Sequence, residues 1–292
     1  EGVAERKRDE GMLRAMLVVG LSLVAVVGCA TPREREGVVE AEPLEPRKVA
    51  VYDGRLGRAV SWEMLVGAAA DADVVIIGEM HGHALGLAAA AAVWGDVLAL
   101  RGGDPALSLE FFDREDQAAL DDYLTGVTDE EAFEIAAGRK DSNYPAGHRA
   151  MVEAAKESGV PVYASNAPRR YSTRAREDGY GALASLRPSQ RVLFETPGDA
   201  PKAAYRERFG EMFAEMLASH GGASSSAAEL AERIEGYYRA QSVWDATMAE
   251  TIARALSEGH RPVVQVVGRF HSDHRGGLVR ELQERRPGMR VV

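Results

Sequence analysis

Val74-Val75-Ile76-Ile77-Gly78-Glu79-Met80-His81-Gly82-His83 is the stretch that decides the fold. Four apolar residues without polar alternation suit a strand covered on both faces, as in a parallel sheet. Gly78 then lets the chain turn, and a carboxylate and two imidazoles follow within five positions. A parallel strand delivers such residues to its carboxyl edge, where open α/β sheets bind ligands. The pattern recurs near the other end of the sequence. Pro262-Val263-Val264-Gln265-Val266-Val267 opens into Gly268-Arg269-Phe270-His271, a second Gly-x-x-His after an apolar run.

Working outward, Ala106–Leu109 reads as a further buried strand ending on Glu110, and Val160–Ala164 as another ending at Ser165-Asn166. Helical periods separate them: Leu85–Leu100, closed by Gly102-Gly103; Asp113–Tyr123; Thr128–Ala137; and Pro145–Ser158 before Gly159. Val49–Tyr52 and Leu56–Val60 flank Asp53-Gly54 as a hairpin, and Ser61 is placed to cap a helix over Trp62–Ala70. Strand and helix alternate, which predicts an α/β fold with a mostly parallel sheet flanked by helices. From Pro168 to Leu256 strand signals vanish. Ala203–His220 and Ala227–Leu256 are helical by period, so residues 168–256 are expected to form a helical subdomain inserted before the chain returns through Val263–Val267, a helix at Gly277–Arg285 and a last strand at Met289–Val292.

The front of the chain reads differently. Met12-Leu13-Arg14 begins a basic region, Ala15–Val27 is apolar, and Val26-Val27-Gly28 precedes Cys29, the single cysteine. The apolar run is shorter than the ~20 residues that span a bilayer, and it ends on small residues as signal peptides do. It resembles a lipobox in which Cys29 is lipidated; an uncleaved anchor is the alternative. Met12 is the expected start of translation. Residues 1–28 then form a signal peptide, and residues 29–48 a lipidated cysteine and Pro-, Glu- and Arg-rich tether. Residues 49–292 form the folded domain. That places the protein in the cell envelope, at the outer membrane if the source is Gram-negative.

Composition narrows the function. A hydrophobic share of 46 % permits a full core, and a net charge of −10 argues against nucleic-acid binding. The short basic run Arg169–Arg176 suits an anion clamp rather than a nucleic-acid track. No Gly-x-Ser-x-Gly elbow or phosphate-binding glycine loop occurs. If the strands are parallel, Glu79, His81, Glu110, Asn166 and His271 reach one sheet edge. Glu79, His81, Glu110 and His271 would give a mixed nitrogen and oxygen shell suited to a divalent metal such as Mn, Co or Zn. The other reading is that they only tie loops down. His83 and His274 are expected to line the pocket or support it, and His148, at a helix start, to be solvated. On the helix Ala227–Leu256, Gln241 and Asp245 share the face of Leu230, Ile234, Tyr237, Met248, Ile252 and Leu256. Asp245 therefore either pairs locally or points at the site.

Several motifs occur in a fixed order: Gly78-Glu79-Met80-His81, Glu110, Asn143-Tyr144-Pro145, Asn166-Ala167-Pro168-Arg169-Arg170, Gln241–Ala249 and Gly268-Arg269-Phe270-His271. The set resembles the ChaN-like haem-binding lipoproteins, within the wider Tiki and erythromycin-esterase-like superfamily, over roughly residues 49–292. Gly82 and Leu87 stand where those relatives often carry Asp and His. The resemblance implies a parallel sheet with a helical subdomain, a lipid anchor, and haem binding for iron uptake or storage. It also implies a tyrosine ligand, matched by Tyr237 or Tyr238, with a histidine assisting from a partner subunit of a homodimer. His81, His83 and His271 are the candidate assisting histidines, and Arg169, Arg170 and Arg174 the candidate partners of the propionates. The alternative function is a metal-dependent protease or esterase using Glu79, His81, Glu110 and His271.

Overall fold

The computed structural model describes residues 45–140, 142–199, 202–219 and 226–292. The expected signal peptide, Cys29 and the tether as far as residue 44 lie outside the described residues, as does His220. The last residues assigned to the tether are docked rather than free. Pro46–Lys48 form a 3-10 turn, and the Arg47 guanidinium grips Asp96 with two hydrogen bonds, at 2.8 and 3.0 Å.

The hairpin forms as expected from its turn residues: β1 (Val51–Asp53) pairs antiparallel with β2 (Arg58–Val60). The Asp53 carboxylate accepts from the amides of Arg55 and Leu56. Ser61 Oγ accepts from the Met64 amide and starts α1 (Trp62–Ala70). The main sheet has four parallel strands, β3 (Val74–Glu79), β4 (Ala106–Asp113), β5 (Val162–Asn166) and β6 (Val263–Gly268), in the order β3-β6-β4-β5. The expected last strand is reduced to one parallel bridge, Val291 beside Val74. Amides of Asp73, Val74 and Ile76 donate to carbonyls of Arg290 and Val292, and Val292 donates back to Val74.

Both faces of the sheet are covered, which explains its unbroken apolar runs. On one face lie α2 (Ala84–Arg101), α3 (Gln117–Leu124), α4 (Glu130–Ala136) and α5 (Ala146–Ser158), whose Trp94, Val97, Leu120, Phe133 and Met151 pack with Leu107, Leu109 and Val264. After β5 come α6 (Arg169–Asp178), α7 (Tyr180–Ala184), α8 (Pro188–Arg191), α9 (Ala203–Ser219) and α10 (Ala227–Ser257). On the other face α10 and, after α11 (Arg269–Ser272), α12 (Gly277–Arg285) bury Met248, Ile252, Leu278 and Leu282 against Val74, Val263 and Val267. Each such side chain, fully buried, contributes about 1.5–3 kcal/mol. Of the face expected for α10, Met248, Ile252 and Leu256 are buried, Leu230 and Ile234 are half-buried, and Tyr237 is exposed. From Gln241 to Ala249 nearly every position is buried, because the helix runs between α6, α12 and the sheet.

One polar ladder crosses the buried sheet. Ser108 Oγ donates to Gln265 Oε1 at 2.5 Å, and Gln265 Nε2 donates to Ser165 Oγ at 3.3 Å. Gln265 therefore sits in an apolar strand with its amide satisfied by the neighbouring β4 and by β5, the strand beyond it.

Candidate functional site

Parallel register brings four strand ends together. Glu79 is the last residue of β3 and stands beside Gly268, the last of β6, while Asn166 ends β5. β4 runs further than expected, to Asp113, and its pairing with β5 breaks between Leu109 and Asp113. This irregularity lies where Glu110 leaves regular pairing, and such bulges commonly re-aim a side chain. Glu110 Oε2 accepts from the Gly268 amide at 2.5 Å.

The two Gly-x-x-His turns need their glycines for a shared reason. A Cβ on Gly268 would stand 2.9 Å from His81 Nε2, and one on Gly78 would stand 2.7 Å from Ser272 Oγ and 3.1 Å from the Arg269 backbone. Each turn thus presses on the other. Together with Glu110 and Asn166 they line one cleft of about 710 Å³, which holds Glu79, His81 and His271. Its apolar wall is built from Met80, Phe111, Met212, Trp244 and Phe270, and its cations are Arg139, Arg169 and Arg269. Arg139 stacks on Phe111 at 4.3 Å, and Arg269 faces Asp273 at 3.8 Å. Arg169 is exposed and has no side-chain partner among the described residues. Asp113, also on the cleft, is pushed up to about 6 by burial and by the neighbouring Asp116 and Glu115.

Behind the cleft lies a buried charge cluster. His271 Nδ1 donates to Asp245 Oδ1 at 2.7 Å, and its Nε2 faces Glu110 Oε1 at 3.4 Å. Burial alone would lower the His271 pKa, but the two carboxylates raise it to about 10. Burial likewise opposes charge on Glu110, yet His271 and the Gly268 amide hold that carboxyl down to about 2. Asp245 is pushed up by burial against the pull of His271 and Tyr205. Tyr205 Oη donates to Asp245 Oδ2 at 2.9 Å and accepts from Gln241 Nε2 at 3.1 Å. Of the two readings of Asp245, local pairing describes its contacts: it is buried against His271 and Tyr205, behind the cleft and outside its lining. Gly277 leaves room for it, since a Cβ there would lie 1.9 Å from Asp245 Oδ2.

A second cluster supports His81. Its Nδ1 lies 3.0 Å from Glu79 Oε1, while Glu79 Oε2 lies 3.1 Å from His148 Nε2. The His81 side chain is 73 % exposed and Glu79 is buried. His148 corrects the expectation of a solvated residue: it is buried and stacked on Phe111 at 4.5 Å.

Other candidates fall elsewhere. His83 is exposed and caps α2, its Nδ1 accepting from the Gly86 amide at 2.9 Å. His274 is exposed, with φ 56°. Arg170 is tied to Glu115 and Arg174 to Asp178, so neither guanidinium lines the cleft. Tyr237 packs on Phe213 beneath Arg176, and Tyr238 packs on Phe209 and Tyr205, both outside the cleft lining. Nor do Glu79, His81, Glu110 and His271 form the expected metal shell. Glu79 is occupied by two imidazoles, both His271 nitrogens face carboxylates, and no group of three ligating side chains is set for an ion among the described residues.

The arrangement can be set beside known proteins. The model of a family described as haem-binding uptake, Tiki superfamily, ChaN, matches residues 65–282. The solved structure of ChaN of Campylobacter jejuni with cofacial haem is 15 % identical, with a TM-score of 0.62, over 82 % of this chain and 86 % of that one. At that identity the likeness is one of fold. A mutant of the erythromycin esterase EreC in its open conformation, also 15 % identical, aligns over 71 % of this chain and 63 % of its own with a TM-score of 0.38. Comparison with curated protein sequences gives no match.

Proposed function

Because the chain belongs to the ChaN family of haem-binding uptake proteins in the Tiki superfamily, we propose that it binds haem in the cleft at the carboxyl edge of its sheet. On this reading it serves haem or iron acquisition at the cell envelope, tethered through a lipid on Cys29. The observation that carries the proposal is His81, an exposed imidazole whose Nδ1 is held by a buried carboxylate. Histidines that bind metal characteristically donate their other nitrogen to such a group, which leaves Nε2 as the basic atom. The surroundings fit the same ligand. Aromatic and methionine side chains suit a porphyrin face, and Arg169 and Arg269 suit its carboxylates. His81 would hold the group through Nε2, and the arginines would orient it. Bound haem supplies an iron centre and two anionic side chains; the protein's part is to ligate, orient and shield it.

Titration of the purified protein with hemin, read at the Soret band, tests the reading. Saturable binding with a shifted band is expected, and His81→Ala should weaken it by about 10-fold or more. Arg169→Glu should weaken it further at low salt than at high salt, since exposed charges are screened. A hemin spectrum unchanged by the wild-type protein would overturn the proposal. A band lost in Tyr237→Phe/Tyr238→Phe but kept in His81→Ala would move the ligand to the surface of α10. Light scattering with and without hemin tests whether a homodimer forms.

A further inference from the structure

We propose that His148 is a positioning residue that acts through Glu79 to fix the orientation and tautomer of His81. The inference rests on the reading of His81 as the ligand of the cleft. It begins with placement. α5 buries His148, Met151, Val152 and Ala155 on one face, at spacings of three and four. The helix is seated by Gly147, where a Cβ would lie 2.6 Å from Leu87 Cβ and 3.0 Å from the Leu87 carbonyl oxygen. That close approach to α2 delivers the His148 ring beneath the end of β3, stacked on Phe111.

A buried imidazole is an uneconomical filler for that space. His148 Nδ1 is buried and has no hydrogen-bond partner among the described residues, a cost that a phenylalanine or leucine would not carry. Among the described residues the ring's one polar contact is with Glu79, at 3.1 Å. Glu79 in turn has one oxygen for each histidine. An ionised carboxylate only accepts hydrogen bonds, so both facing nitrogens must donate. His148 Nε2–H therefore fixes the carboxylate plane, and that plane dictates a proton on His81 Nδ1 and a lone pair on Nε2. Without His148 the buried carboxylate would have a single partner and an unfilled oxygen. His81, being exposed, would then sample both tautomers.

Two measurements on the full chain separate this inference from the haem reading. Long-range ¹H–¹⁵N spectra of histidine-labelled protein without hemin report the His81 tautomer directly. Hemin titration reports the consequence. The wild type should show His81 protonated on Nδ1. His148→Phe, which keeps the ring stack, should give mixed tautomers and a loss of hemin affinity of about 10- to 100-fold. His148→Gln still presents an N–H and should restore both. Should His148→Phe fail to fold, His148→Leu removes the same donor and is read in the same way. Wild-type nitrogen shifts at His81 in the folded Phe or Leu variant would overturn the inference, as would equal losses in the Phe and Gln variants. Failure of the wild type to bind hemin, with the tautomer responding as stated, would instead remove the haem reading and leave His148 positioning His81.

Discussion

His271 is a cation buried between two carboxylates, and its stability contribution has a definite pH window. Its folded pKa of about 10 lies above the ordinary ~6.5 of histidine. The contribution is therefore complete below ~6.5 and is lost as pH rises through 10. Glu110, held down to about 2, adds stability above the ordinary ~4.3 that is lost as pH falls through 2. Asp245 is pushed up by burial, so part of the gain at His271 offsets the cost of keeping that carboxylate charged. His271→Gln should cost about 3–5 kcal/mol near pH 6, as breaking a buried ion pair does. Denaturant unfolding across pH should show the gap shrinking towards pH 10; a constant gap would refute the assigned charge. Residues of this kind were unevenly legible. Glu79, His81, Glu110 and His271 follow from apolar runs that end in polar residues. The place of His148 at a helix start suggests solvent, although Met151, Val152 and Ala155 put it on the buried face. Tyr205 carried no signal, because α9 reaches Asp245 from 40 residues away in sequence, through packing alone.

At the scale of elements, unbroken apolar runs mark every strand of the main sheet, and helical period marks the helices that cover it. What these signals miss is governed by tertiary pairing: the extension of β4 past Glu110, the reduction of the last strand to a bridge, and the docking of Pro46–Lys48 on Asp96. The short helices α6 to α8 were hidden within a stretch identifiable only as lacking strands. The Ser108–Gln265–Ser165 ladder offers a test of how three strands share one polar element. Gln265→Ala strips partners from two buried hydroxyls and should cost about 1–3 kcal/mol. Replacing the whole ladder, as Ser108→Ala/Gln265→Leu/Ser165→Ala, should cost less than that single change, because no buried group is left unpaired. Equilibrium unfolding of the two variants decides it, and a triple variant weaker than the single would show the ladder to be a net stabiliser.

Across residues 45–292, the strand that leads to His81 depends on neighbours far away in sequence. β3 pairs with β6 on one side and with Val291 on the other. Deleting Arg290–Val292 removes four backbone hydrogen bonds and bares that edge, at about 2–4 kcal/mol. Lower midpoint and concentration-dependent aggregation are the expected readouts, since an unprotected apolar edge templates pairing with another chain. An unchanged midpoint would show the bridge to be incidental. The order of synthesis sharpens the point. Val74 and its partner Val263 lie about 190 residues apart, so at 5–20 residues per second a nascent Val74–Ile77 waits roughly 10–40 seconds for a mate. During that interval the segment is a sticky, unclaimed β-strand. A ribosome stall before β6 is made would leave chains that are competent to clump and unable to assemble their own pocket.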